Sequence, residues 1–359
     1  MVLGTRPGIV KFAPILHQLR IMNVNHIVVH SGQHYSANMD AVFFAEHGLA
    51  PPDFRVGDRQ PGVTPGRQTA EMLAGIERVL LEQRPSVVLV GGDANTNLAG
   101  ALAARKLDLL VGHVEAGLRS RDWRMPEEHN RVMIDHISDV LFVPSERAAK
   151  TARGEGVRGE IHVTGSTIGE ALQRTLDESP AAPPQDSPYA LVTLHRQENV
   201  DSREILGGLV AAILKLPRAL DVDVVWPVHP RTQKRLTSFG LSTSLEDEKR
   251  IRTINALGHR EFVQLLAGAV LLLTDSGGAQ QEACILRVPC VTARPTTEWV
   301  ETVDAGANAL SGTDQDAVLE VCTKMAASNR TWEDPFSVNG ELPSRRTVEI
   351  TLDLIKRHP

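Results

Sequence analysis

Three carboxylates in the first half of the chain stand where an open parallel sheet carries its chemistry. Val87-Val88-Leu89-Val90 runs into Gly91-Gly92-Asp93, and Leu109-Leu110-Val111 runs through Gly112-His113-Val114 to Glu115. Glu127 follows Met125-Pro126, a pair that admits a helix opening. Glu115 and Glu127 thus start from separate elements and can converge on one cleft, and Arg119, Arg121, Arg124 and Arg131 bring positive charge to the same stretch. Scattered ion pairs on a surface loop would account for those charges taken alone. The third acid, Asp93, at a second strand end favours a site.

The second half repeats the pattern with a different chemistry. Ala190-Leu191-Val192-Thr193-Leu194 ends at His195-Arg196-Gln197-Glu198-Asn199, Val222 to Trp226 ends at Pro227-Val228-His229-Pro230-Arg231, and Val270 to Thr274 ends at Asp275-Ser276-Gly277-Gly278. Ser276, Gly277 and Gly278 before a helix starting near Ala279 offer a hydroxyl and backbone N–H groups to an anion. A tight strand-to-helix turn would explain the glycines equally well. Arg6, Lys11, His195, His229 and Arg231 at other strand ends tip the balance towards a phosphate or diphosphate held between them. Glu282, one turn into the helix, can accept hydrogen bonds from two ribose hydroxyls. His113 and Glu115, two apart on a strand, should share a face. With no His-Glu-x-x-His helix and no cysteine pair beside them, no metal is expected. No Gly-x-Ser-x-Gly elbow and no Gly-x-x-x-x-Gly-Lys loop supports acyl transfer or ATP hydrolysis.

Short apolar runs alternating with amphipathic stretches must position these groups. Val2-Leu3, His26 to His30, Val87 to Val90, Leu109 to Val111 and Val140 to Val143 read as strands. The loop Gly4 to Gly8 leads into a helix through Phe12, Leu16 and Leu19, and Thr69 to Leu81 and Leu98 to Arg105 read as further helices. This is the sequence form of a doubly wound parallel α/β sheet. Gly154-Glu155-Gly156-Val157-Arg158-Gly159 matches a dinucleotide fingerprint in letters only, because it precedes a strand instead of opening a helix. The Pro-, Ala- and Ser-rich stretch from Ser179 to Pro188 reads as a linker, after which a second α/β series begins. The expected organisation is two domains, 1–168 and 169–344, facing across a cleft, with a C-terminal helix in 345–359 packing back on the first.

A chain of 359 residues is long enough for two cores. A net charge of −6 gives no basic face for nucleic acid, and 4% aromatic residues give no stacking platform for single strands. No apolar run approaches the roughly 18 residues of a membrane span, so a cytoplasmic protein without a membrane partner is expected. Cys284, Cys290 and Cys322, odd in number and without metal spacing, read as reduced packing residues.

Taken together, Gly4-Thr5-Arg6-Pro7, Gly32-Gln33-His34-Tyr35, Gly92-Asp93, His113-Val114-Glu115-Ala116-Gly117-Leu118-Arg119, Pro126-Glu127-Glu128-His129-Asn130-Arg131, His195-Arg196-Gln197-Glu198-Asn199, His229-Pro230 and Asp275-Ser276-Gly277-Gly278 resemble the UDP-N-acetylglucosamine 2-epimerase family, in family order. Chain details such as Asn38-Met39, Phe43-Phe44 and Arg124-Met125-Pro126 look most like its branch of archaeal enzymes and epimerases of diacetamido uronic acid sugars. The resemblance implies two Rossmann-like domains around a cleft, as in GT-B glycosyltransferases. It implies inversion at C2 of a UDP-2-acetamido sugar, UDP-N-acetylglucosamine becoming UDP-N-acetylmannosamine, with no cofactor consumed. By match to the family, Asp93, Glu115 and Glu127 are acid/base candidates, with the proton-abstracting one unassigned. Arg6, Lys11, Arg131, His195, His229, Ser276, Gly277 and Gly278 would hold the nucleotide, His195 assisting the leaving oxygen, and Glu282 the ribose. Gln33, His34 and Arg67 look similar to a regulatory UDP-sugar site of bacterial relatives, and a homodimer is implied. Departures from the pattern are Gly8 for a glutamate, Ser36 for a glutamine, Ala94-Asn95 for hydroxyl residues, Gln281 for an acid and Trp299-Val300 for Arg-Pro. The competing readings are a hydrolysing 2-epimerase that releases UDP and free sugar, an epimerase of a diacetamido uronic acid, a GT-B glycosyltransferase, and a silent nucleotide-sugar binder.

Overall fold

Every strand pairing in this computed structural model is parallel. The structure describes residues 1–33, 37–57, 63–178, 187–338 and 340–358. The chain divides into two compact units, one of Met1–Gln173 with Phe336–Pro359 and one of Arg174–Pro335. Among the described residues no helix is long and apolar enough to cross a membrane. The expected fold class, α/β with parallel sheets in both halves, is the one found.

The first unit contains β1 (Val2–Leu3), β2 (Val29–His30), β3 (Phe54–Arg55), β4 (Val87–Gly91), β5 (Leu110–Val114), β6 (Val140–Val143) and β7 (Glu160–Val163). β1, β2 and β3 are bonded in that order, as are β4 to β7, and β1 lies beside β4. The central strands are apolar on both faces because helices cover both sides. Gly112 in β5 is required by that packing, since a Cβ there would lie 2.5 Å from a Leu89 methyl carbon.

Local chemistry sets the helix starts. The loop expected from Gly4 to Gly8 is cut short, because Thr5 caps a helix at Arg6–Ile21 by accepting from the Gly8 N–H, and Pro7 suits its first turn. The apolar run His26 to His30 forms ladder pairs only at Val29 and His30. The C-terminal helix, Pro343–Arg357, lays Val348 and Leu354 into the same core as Ile9, Phe12 and Leu16 of the Arg6 helix. Glu170 anchors its start, accepting from the backbone N–H and the hydroxyl of Ser344.

The second unit holds one sheet of β8 (Tyr189–Thr193), β9 (Asp223–Val228), β10 (Ile251–Asn255), β11 (Leu271–Thr274), β12 (Cys290–Thr292) and β13 (Asn308–Leu310), in the order β10-β9-β8-β11-β12-β13. The order reverses between β8 and β11, so the crevice at their carboxyl ends is where doubly wound sheets receive ligands. Trp226 and the Arg203–Leu220 helix fill the core on one face. The three cysteines are free and buried, and burial pushes the Cys284 thiol up to about 12. Most of the linker expected at Ser179 to Pro188 lies outside the described residues.

Candidate active site

In the first unit the register levels two strand ends. Gly91 of β4 pairs with Val114 of β5, and the Gly92 N–H continues the ladder to the Val114 carbonyl. Asp93 and Glu115 therefore leave neighbouring strands at the same edge of the sheet. Gly92 at φ +81°, Glu115 at φ +66° and Gly117 at φ +78° turn the chain there. A glycine is needed at 117, where a Cβ would lie 2.5 Å from the Ala148 carbonyl oxygen. The left-handed conformation of Glu115 is uncommon for a residue with a side chain and must be held by its surroundings.

Two cations lie among these acids. Lys11, from the Arg6 helix, places Nζ 2.5 Å from Glu115 Oε1. Arg131, from the helix Pro126–Ile137, donates to Asp93 and, at 2.8 Å, to Glu128. Burial pushes the Glu115 carboxyl up from its ordinary range even against the pull of Lys11. Burial also acts to lower the Lys11 ammonium, but Glu115 and Asp93 outweigh it and hold it above its usual value. A carboxyl raised in this way beside a fixed ammonium is suited to taking and returning a proton.

Side-chain amides brace the same edge. Asn97 donates to the Gly91 carbonyl at 2.6 Å and accepts from the Gly91 N–H at 3.3 Å. Asn130 donates to the Asp93 carbonyl at 2.8 Å and to Asn95 Oδ1 at 2.9 Å. Asn95, one of the departures from the family pattern, thus has a partner of its own.

The adjacent glutamates of the Pro126 helix have opposite settings. Glu128 is buried and accepts from the N–H groups of Ser120 and Arg121, the Ser120 hydroxyl and Arg131. Burial would raise its carboxyl, but these donors hold it below the ordinary range. Glu127 is half-buried, four residues before Arg131, and makes no ion pair among the described residues.

Several sequence expectations change here. His113 and Glu115 do not share a face, because Glu115 lies beyond the end of β5 with a left-handed backbone that breaks the strand's alternation. His113 faces Asp135 and the Gly92 carbonyl instead. Nor do all four arginines gather at the acids. Arg119 is held by Asp135 and Glu155, and exposed Arg124 pairs with Asp122. Arg6 stacks on the Phe43 ring at 4.6 Å. Gln33 accepts from the Thr96 N–H at 2.9 Å and hydroxyl at 2.7 Å, Arg67 pairs with Glu71 on the surface, and His34 lies outside the described residues.

In the second unit, Asp275 follows β11 and organises the crevice beside β8. It is fully buried, accepts from the N–H groups of His195 and Arg196 and from the Asn199 amide, and lies 3.2 Å from His195 Nδ1. Burial would raise its carboxyl, but His195 and those N–H groups hold it low. With Nδ1 turned to Asp275, the part-exposed His195 has Nε2 left for a ligand. His229, after β9, lies beside it, the two rings 5.7 Å apart. Arg231 is drawn off to Asp201, which it shares with Arg235.

The helix Gly277–Ile285 starts at Ser276, whose hydroxyl accepts from the Ala279 N–H. A Cβ at Gly277 would lie 2.2 Å from Glu298 Oε1, whereas one at Gly278 would meet nothing within 4 Å. Glu298 is paired with Arg294 at 3.0 Å and Arg196 at 3.7 Å, so the helix start faces a carboxylate set between two arginines. Glu282 is held by His259 Nε2 at 2.9 Å.

Asp275, Glu128, Asn97 and Asn130 were missed as organising residues from sequence. Asp275, Glu128 and Asn130 stood inside quoted motifs, yet only burial and partners distinguish them from their neighbours.

These features define an α/β enzyme of parallel sheets, with paired acids at one strand edge and a second sheet in the strand order of nucleotide-binding folds. The model of the UDP-N-acetylglucosamine 2-epimerase family matches residues 18–341. A UDP-N-acetylglucosamine 2-epimerase of Methanococcus maripaludis is 45% identical over 346 residues, 94% of this chain and 93% of its own. A UDP-2,3-diacetamido-2,3-dideoxy-D-glucuronate 2-epimerase of Pseudomonas aeruginosa is 38% identical over 89% of each chain. The crystal structure of Methanocaldococcus jannaschii UDP-GlcNAc 2-epimerase, in complex with UDP-GlcNAc and UDP, superposes with a TM-score of 0.89 at 43% identity, covering 98% of both chains. The chain belongs to the UDP-N-acetylglucosamine 2-epimerase family.

Proposed function

We propose that this enzyme inverts C2 of UDP-N-acetylglucosamine to give UDP-N-acetylmannosamine. The observation that carries the reading is the pair of acids Asp93 and Glu115 at neighbouring strand ends with Lys11 and Arg131 between them, in a chain of this family. The C2 hydrogen of the sugar ring is next to no carbonyl, so an enolate route is closed. A base removes that proton, the electron pair forms the C1–C2 double bond, and the C1–O bond breaks to release UDP. UDP then returns to C1 of the 2-acetamidoglucal while a proton is delivered to the opposite face of C2. The sum is an isomerisation in which no redox cofactor takes part.

Asp93, Glu115 and Glu127 serve as the proton-transfer groups. His195, His229, Ser276, Gly277 and Gly278 hold the diphosphate, with His195 Nε2 assisting the leaving oxygen, and Glu282 takes the ribose. Lys11 and Arg131 balance charge at the acids, and Arg6 is assigned to the phosphates. The reading includes a homodimer and a cytoplasmic location, to be checked by light scattering and cell fractionation.

Incubation with UDP-N-acetylglucosamine in heavy water should place deuterium at C2 of both epimers. No exchange with any UDP-2-acetamido sugar would refute the reading. The likeness to the Pseudomonas aeruginosa enzyme favours one second reading, a UDP-diacetamido uronic acid as substrate. Faster exchange on that sugar than on UDP-N-acetylglucosamine would establish it. Accumulation of free UDP with free sugar would mark a hydrolysing enzyme instead.

A further inference from the structure

The turn after β4 and the turn after β5 share one buried anchor. His113 is fully buried in β5, with Nε2 3.0 Å from the Gly92 carbonyl oxygen and Nδ1 2.7 Å from Asp135 Oδ1. Asp135, fully buried on the Pro126 helix, turns Oδ2 to the Gly117 N–H at 3.1 Å and to Arg119 at 2.7 Å. Gly92 immediately precedes Asp93, and Gly117 comes two residues after Glu115. One imidazole–carboxylate pair therefore grips both turns that carry the strand-end acids.

The mechanism makes no direct use of this pair, which has no exposed surface. Nor is it explained as a source of stability, because a buried polar or charged network seldom stabilises more than apolar packing would. What it supplies is geometry. Gly92 before Asp93, Glu115 itself and Gly117 after it all have positive φ, and for a residue with a side chain such backbone persists only where several contacts over-determine it. The Gly92 N–H is already engaged in the ladder, so its carbonyl is the group left to set the direction in which Asp93 leaves the strand.

We propose that His113 and Asp135 are positioning residues that set the separation of Asp93 and Glu115 through the Gly92 carbonyl and the Gly117 N–H. This rests on the reading of Asp93 and Glu115 as proton-transfer groups. Neither His113 nor Asp135 touches the sugar.

The two contacts of the ring separate by substitution. Asparagine carries its amide near the place of Nδ1 and glutamine near that of Nε2, so H113N keeps the Asp135 contact and frees Gly92, while H113Q does the reverse. H113N should lose kcat on the order of tenfold to a hundredfold, with KM changed less than about twofold. H113Q should retain more kcat than H113N but lose more Tm. Amide hydrogen exchange across residues 91–95 should accelerate in H113N and not in H113Q. Asp135→Asn provides a further variant, expected to accelerate exchange across 115–118. A fall of kcat in step with Tm in both His113 variants, or unchanged exchange across 91–95 in H113N, would overturn the proposal. Wild-type enzyme without C2 exchange would defeat the assigned reaction instead, and the hydrogen-exchange comparison would still decide the positioning.

Discussion

Glu127 and Glu128 are neighbours in sequence, and replacing each should give opposite results. Glu128→Ala removes the acceptor of the Ser120 and Arg121 N–H groups and the Ser120 hydroxyl, and one of the two carboxylates on Arg131. Breaking a buried ion pair from one side costs about 3–5 kcal/mol, and each buried donor left without a partner about 1–3 kcal/mol. These losses overlap, and the loop from Ser120 can relax towards water, so the expected cost is about 4 kcal/mol. That is a large share of the roughly 5–15 kcal/mol of a typical folded protein. Glu127→Gln disturbs no ion pair and should change stability by less than about 0.5 kcal/mol. As it removes a proposed proton-transfer group, its effect falls on turnover, with kcat down about 10²- to 10⁴-fold. Urea unfolding and C2 deuterium exchange, run side by side, read both quantities. Early unfolding of Glu127→Gln, or a wild-type urea midpoint for Glu128→Ala, would refute the reasoning.

Other perturbations test the remaining electrostatics. Lys11→Met removes the ammonium that opposes burial at Glu115, so whichever limb of the kcat/KM profile Glu115 governs should move to higher pH; an unmoved profile would count against Glu115 as a titrating group. Burial, aided by Arg55, lowers His30 from 6.5 to about 4, and its Nδ1 accepts from the Gly32 N–H. Between those values the unfolded chain binds the extra proton, so stability present above pH 6.5 should fall as pH drops towards 4, by at most ~3 kcal/mol. His30→Gln should flatten that slope in thermal scans at stepped pH. Glu282→Gln weakens the pairing with His259 and one hydroxyl contact of the proposed ribose, so KM should rise roughly tenfold with kcat little changed; a loss confined to kcat would show that the ribose is held elsewhere.

Local order in the chain was enough to read the parallel α/β class, because period and punctuation are near-neighbour properties. Val87 to Val90 followed by Gly91-Gly92-Asp93 announces a buried strand and a turn without knowledge of the rest of the fold. Ser276 before the Gly277 helix and Pro126 at the start of the Glu127 helix are signals of the same kind.

Partnership was a different matter. Lys11 and Glu115 are 104 residues apart, Arg131 and Asp93 are 38 apart, and His195 and Asp275 are 80 apart. The residues by themselves read Lys11 as a cation for phosphate, and the family resemblance added Arg131, whereas the fold sets both against carboxylates. Glu127 and Glu128 are adjacent acids in one quoted motif, and only burial under Ser120 and Arg121 makes one a brace. The sequence by itself determined which residue types arrive at each strand end. The tertiary structure alone decided which charges meet and which are buried, because the energy of a charge depends on its distance to partners and on the water it has lost, and neither quantity is a property of neighbours along the chain.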